Sequence, residues 1–165
     1  MLRRIAMFGL MLMACTATLA APKEDALAAY QRFFDLFTTD NHDQIALLFA
    51  PDALFYGTGS TDVVTNREDI RRYFIPALTG KRGTTKATPF EQTALVLSDT
   101  IVALSGKWQS ERTLDGKMST AGPSRNTVLM QKRGDQWLIV QFHNSPTPKP
   151  AAAPSVPNRE GAALP

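Results

Sequence analysis

Cysteine is almost missing from this 165-residue chain, which carries one, Cys15, close to its start. Everything downstream therefore lacks disulfides, thiol nucleophiles and cysteine metal ligands. Histidine is nearly as scarce, with His42 and His143 the only two. No carboxylate-rich or i, i+4 histidine pattern accompanies them, so no metal site is expected. A Gly-rich phosphate loop, a dinucleotide fingerprint and a Gly-x-Ser-x-Gly elbow are all missing, and the chain reads as cofactor-free. Charge of one sign is not concentrated either: 18 basic and 15 acidic residues leave a net +3. The basic pairs Arg3-Arg4, Arg71-Arg72, Lys81-Arg82 and Lys132-Arg133 are not interleaved with aromatics, which argues against a nucleic-acid partner.

What is present begins with an export pattern. Arg3-Arg4, an apolar run from Ile5 through Ala14 and the small residues Thr18 to Ala21 form a basic n-region, an h-region and a cleavage zone. The run is too short to span a bilayer. A cut after Ala20 is expected, giving a signal peptide over residues 1–20 and a periplasmic or secreted protein. The alternative is Leu12-Met13-Ala14-Cys15 as a lipobox, with a lipoprotein anchored through Cys15; only then is a membrane partner expected. At the other end, six of the 11 prolines fall after Ser145, at 146, 148, 150, 154, 157 and 165. Proline blocks helix interiors and ladder bonds alike, so residues 146–165 read as an extended or disordered Pro/Ala-rich tail.

Between these ends lies enough chain for one domain, over residues 23–145, with an ordinary globular composition of 44% apolar and 20% charged residues. Leu27, Tyr30, Phe33, Phe34 and Phe37 recur at helical spacing. Asp40-Asn41 is an N-cap candidate for a second, short helix reaching Phe49 and stopped by Pro51, and Ala53 to Tyr56 reads as a strand. Thr65 and Glu68 form a capping-box pattern for a third helix ended by Gly80. Four strand-length runs follow, over 86–97, 101–113, 119–133 and 136–145, parted by Ser98-Asp99, Asp115-Gly116 and Gly134-Asp135 turns. The expectation is an α+β fold: a curved antiparallel sheet with three N-terminal helices on one face.

The last hairpin, Arg125 through Ser145, carries a basic turn, a tryptophan, an apolar strand and a His-Asn-Ser ending. It resembles the C-terminal signature shared by the SgcJ/EcaC family and the association domain of calcium/calmodulin-dependent protein kinase II. Leu48-Phe49-Ala50-Pro51-Asp52-Ala53 resembles the helix-to-strand break of the nuclear transport factor two-like, or SnoaL-like, superfamily. The resemblance implies a cone-shaped fold over residues 24 to 145. It also implies either a small-molecule-binding or small-molecule-transforming pocket in the cone, or a homo-oligomerising association module without catalysis. An arginine that the kinase hub family carries on its central strand has Trp108 near its place here.

Strand alternation puts Trp137, Ile139, Gln141 and His143 on one face and Leu138, Val140, Phe142 and Asn144 on the other. The resemblance implies that the Trp137 face lines the cone. Gln141 and His143 are thus expected to bind ligand, with His143 the candidate general acid or base, and Tyr56, Trp108 and Arg125 are placed nearby. Asp62, Asp69 and Glu91 are further possible acids, while His42 reads as a solvated residue of a helix start. Leu138, Val140 and Phe142 are expected on the outer sheet face, forming a homodimer or larger homo-oligomer.

Overall fold

The computed structural model describes residues 21–78 and 84–148. The expected signal segment, Cys15, Gly80, the Lys81-Arg82 pair and most of the Pro/Ala-rich tail lie outside the described residues.

Helix α1, Pro22–Thr38, follows from its aromatic periodicity: Ala26, Tyr30, Phe33, Phe34 and Phe37 form one buried stripe. Helix α2, His42–Leu47, is capped as expected by Asn41, whose Oδ1 accepts from the Gln44 backbone N–H (3.1 Å). It ends sooner than the sequence suggests. Phe49 already belongs to strand β1, Phe49–Tyr56, and Pro51 sits inside that strand. Helix α3, Arg67–Leu78, is capped by Asn66 rather than by Thr65, since the Asn66 Oδ1 accepts from the Asp69 N–H (2.9 Å). Strands β2 (Thr84–Ser98), β3 (Ile101–Leu114), β4 (Lys117–Arg133) and β5 (Gln136–Pro146) complete the domain.

The sheet runs β1-β5-β4-β3-β2. Four strands are antiparallel neighbours in chain order, but β1 joins the edge parallel to β5, an exception to the expected all-antiparallel sheet. α3 lies between β1 and β2 in the chain, in the order expected for the Ala53–Tyr56 strand and the third helix. The stripe of α1 packs into the sheet's hollow. Phe33 meets Phe142 at 5.4 Å and Trp108 at 6.2 Å between ring centroids, and Phe37 meets Trp108 at 5.1 Å. Each phenylalanine so buried contributes roughly 1.5–3 kcal/mol by removal from water.

One irregularity decides which side chains face this core. On β4 the consecutive residues Leu129 and Met130 pair with Gln141 and Ile139 of β5, so Val140 is an extra, unpaired residue. The bulge resets the alternation of β5. Ile139 is buried completely, and beyond it the buried residues are Phe142 and Asn144, not Gln141 and His143.

Candidate functional site at the mouth of the cone

Where the wide end of the sheet meets α1 and α3, aromatic rings stop short of filling the space. A cavity of about 130 Å³ remains, lined by Phe33, Phe37, Phe55, Tyr73, Phe74, Trp108 and Phe142, with Gly57, Thr58 and Asn144 at its rim. Gly57 is required there, because a Cβ at that position would fall on the Tyr73 ring. The Tyr73 hydroxyl in turn accepts from the Gly59 N–H (3.2 Å), which holds the loop after β1 against the cavity.

Three side chains bridge the opening. The Trp108 indole N–H donates to Asn144 Oδ1 (2.8 Å), and Asn144 Nδ2 donates to Thr58 Oγ1. Asn144 is only 7% exposed, so these two bonds hold its amide plane in place. The Thr58 O–H has no acceptor among the described residues and is left to donate. Outside the bridge a groove of about 720 Å³ continues from Trp108, Thr58 and Asn144 onto Gly122, Pro123 and Pro146 to Pro148. Gly122 has φ +109, a conformation that favours glycine, and it lies at the shift in β3/β4 register that shapes the groove wall. Thr147 donates its backbone N–H to Pro123 O (2.9 Å), so the chain stays tied to the groove up to Pro148, two residues past the expected start of the tail.

Among the described residues, no Asp, Glu, His, Lys or Arg lines either space. The site offers ring surface, one amide and hydroxyls.

Of the residues singled out from sequence as ligand-binding, only Trp108 lines the cavity. Gln141 and His143 are turned to the opposite face of the sheet by the Val140 bulge. There Thr93, Ser105, Thr127, His143 and Tyr56 form one cross-strand row, with the Tyr56 and His143 rings 6.3 Å apart. Arg125 is on that face too, its Nε donating to Ser145 Oγ (3.1 Å). Phe142, expected on the outer face, is instead in the core at 2% exposure. Asp62, Asp69 and Glu91 are engaged by Thr61, by Asn66 and Arg72, and by Lys107 respectively, away from the cavity. His42 lies 3.5 Å from Asp43 at the start of α2. Thr58, Asn144 and the phenylalanines of α1 and β1 were missed as site residues. The signal for Asn144 was its place on the Phe142 face, which becomes the inner face only once the bulge is located.

The SnoaL-like domain model matches residues 26–149. No curated protein matches the chain in sequence. Among solved structures, a Xanthomonas campestris protein described as a calcium/calmodulin dependent protein kinase II association domain is 30% identical, covers 74% of this chain and 86% of its own, and superposes with a TM-score of 0.66. A Streptomyces avermitilis protein described as a dehydratase of the NTF2-like family shares 12% identity over 75% of this chain and 95% of its own, with a TM-score of 0.66. The hub homology domain of the same kinase from Chlamydomonas reinhardtii shares 17% over 78% of this chain and 100% of its own, with a TM-score of 0.65. The last two likenesses concern the fold.

Proposed function

The chain belongs to the SnoaL-like family, and from that premise we propose that it is an exported, cofactor-free domain that binds a small, neutral, largely apolar molecule at the mouth of its cone. The observation that carries this reading is the chemistry of the lining. A ring-walled cavity with a few oriented polar groups is how ligand pockets are usually built, and a dry cavity of this order holds about one six-membered ring. General acid–base catalysis needs a titratable group within hydrogen-bond reach of the substrate. Among the described residues the lining holds no Asp, Glu, His, Lys or Cys, which favours binding over transformation. The ligand's ring lies in the cavity against Phe33, Phe55 and Phe142, an acceptor oxygen takes the Thr58 O–H, and the remaining apolar body lies in the groove. Export rests on the n-region, h-region and small residues before Ala21, with lipidation at Cys15 the alternative route to the same compartment.

A titration of the mature protein with acetophenone, one ring bearing one acceptor, tests the pocket. Saturable binding is expected from the indole N–H resonance of Trp108, with the ketone recovered chemically unchanged. Asn144→Leu should weaken it at least tenfold. No saturable response to any neutral aromatic would overturn the reading, and conversion of the probe would restore an enzymatic one.

A second reading, a homo-oligomerising module, is favoured by the outer sheet face. Leu54, Gln141, Leu129, Ala103 and Leu95 form one cross-strand row there, with Leu54 48% and Leu95 64% exposed. The likeness to association domains supports the same reading. Binding and assembly use opposite faces and are compatible.

A further inference from the structure

A second cleft, of about 540 Å³, lies between the first half of α1, the α2 helix, the start of α3 and the β4–β5 hairpin. It shares no lining residue with the cone mouth. Its character is polar. Three cations, Arg32, Arg67 and Lys132, face it together with two carboxylates, Asp25 and Asp135. None of the five forms an ion pair with a described residue, although opposite charges share one cleft. Arg67 is fixed by its own packing: Nε (2.9 Å) and Nη2 (2.5 Å) both donate to the Phe49 carbonyl, leaving Nη1 with no partner among the described residues. Arg32 and Lys132 make no side-chain hydrogen bond to a described residue.

A further feature is independent of charge. Trp137 also lines the cleft and is only 9% exposed, and its indole N–H is buried with no acceptor among the described residues. Buried donors are nearly always paired, and an indole can only donate. The missing partner must therefore be an acceptor. Beside it stand donors of the kind that recognise carboxylate and phosphate oxygens, an immobilised guanidinium foremost.

We propose that this cleft binds a compact oxyanion, a carboxylate or phosphate group, seated between Arg32, Arg67 and Lys132 and against the Trp137 side chain. The two carboxylates leave an excess of one positive charge, which suits a compact anion and not a polyanion.

The chain has two tryptophans, so its two indole N–H resonances separate the two sites: Trp108 reports on the cone mouth and Trp137 on the cleft. Inorganic phosphate and succinate are titrated in turn into the isotope-labelled full chain, with ionic strength held constant by chloride. A Trp137→Phe variant identifies its resonance. The expected result is a saturable shift of the Trp137 signal while Trp108 stays still, with the apparent Kd raised at least threefold by Arg32→Gln and by Lys132→Gln. Neither side chain has a bonded partner to lose among the described residues, so both variants are expected to fold. Saturation by phosphate alone or by succinate alone identifies the oxyanion. A linear drift without saturation, or variants that titrate like the parent, would mean an adventitious ion only and would overturn the site. Either outcome leaves the reading of the cone untouched, because the Trp108 signal is scored separately.

Discussion

Two buried amides organise the interior at the level of single residues, and they do different work. Asn144 spans Trp108 and Thr58 at the cavity opening. Asn126, 3% exposed, lies deeper and donates through Nδ2 to the Tyr30 hydroxyl (2.8 Å), while its Oδ1 has no partner among the described residues. Burial pushes the Tyr30 phenol far above the ordinary tyrosine range, against a smaller opposing effect of the Asn126 bond. A raised folded-state pKa means that the unfolded chain releases this proton first as pH rises. Its contribution to stability is thus complete below about pH 10, the ordinary tyrosine value, and is lost progressively above it. Denaturant unfolding between pH 8 and 11 should show this decline. Tyr30→Phe should flatten it, at a cost near neutral pH of about 1–3 kcal/mol for the stranded Asn126 amide.

Strand β5 shows how an element can be read correctly in extent and wrongly in orientation. Its span is close to that expected from the sequence, yet one inserted residue, Val140, exchanges the roles of everything beyond it. Stability measurements separate the two assignments directly. Phe142→Ala should cost about 3–5 kcal/mol, as for a ring removed from a packed core. His143→Ala and Gln141→Ala should each change stability by less than about 0.5 kcal/mol, as for outward-facing positions. Equal costs at Phe142 and His143 in urea unfolding would show that the bulge is misplaced. The same exchange puts Gln141 and His143, with Tyr56 beside them, on the open sheet surface and not in the cavity.

For the whole molecule, the sheet has one face closed by the α1 stripe and one face open. Leu54 and Leu95 on the open face are more than singly scattered apolar residues, since the strand register puts them in one row with Leu129 and Ala103. Proposed assembly across this face makes a specific expectation for Leu95→Asp. Light scattering at micromolar concentration should give a multiple of the chain mass for the parent and a single-chain mass for the variant. Because Leu95 is 64% exposed in one chain, the monomer's own unfolding midpoint should hardly move. A parent that is monomeric throughout would remove the association-module reading and leave the cone and the cleft as the places where function resides.

By itself the sequence determined the number and order of the helices and strands, the hairpin turns and the mixed α+β class, though not every boundary, because the signals for these are local: aromatic spacing along residues 26–37, the Asn41 cap, and the Asp115-Gly116 and Gly134-Asp135 turns. The family resemblance was legible in the same way, from the contiguous stretch Arg125 to Ser145. Only the tertiary structure decided which side chains face the cone. Alternation is a rule of period two, and a single unpaired residue inverts it; whether Val140 is paired depends on its neighbours β4 and β1, which lie far away in the chain. The same holds for the Trp108–Asn144–Thr58 bridge and for the cleft around Trp137, since each is assembled from residues whose meeting is fixed by sheet register and helix docking and is written in no local pattern.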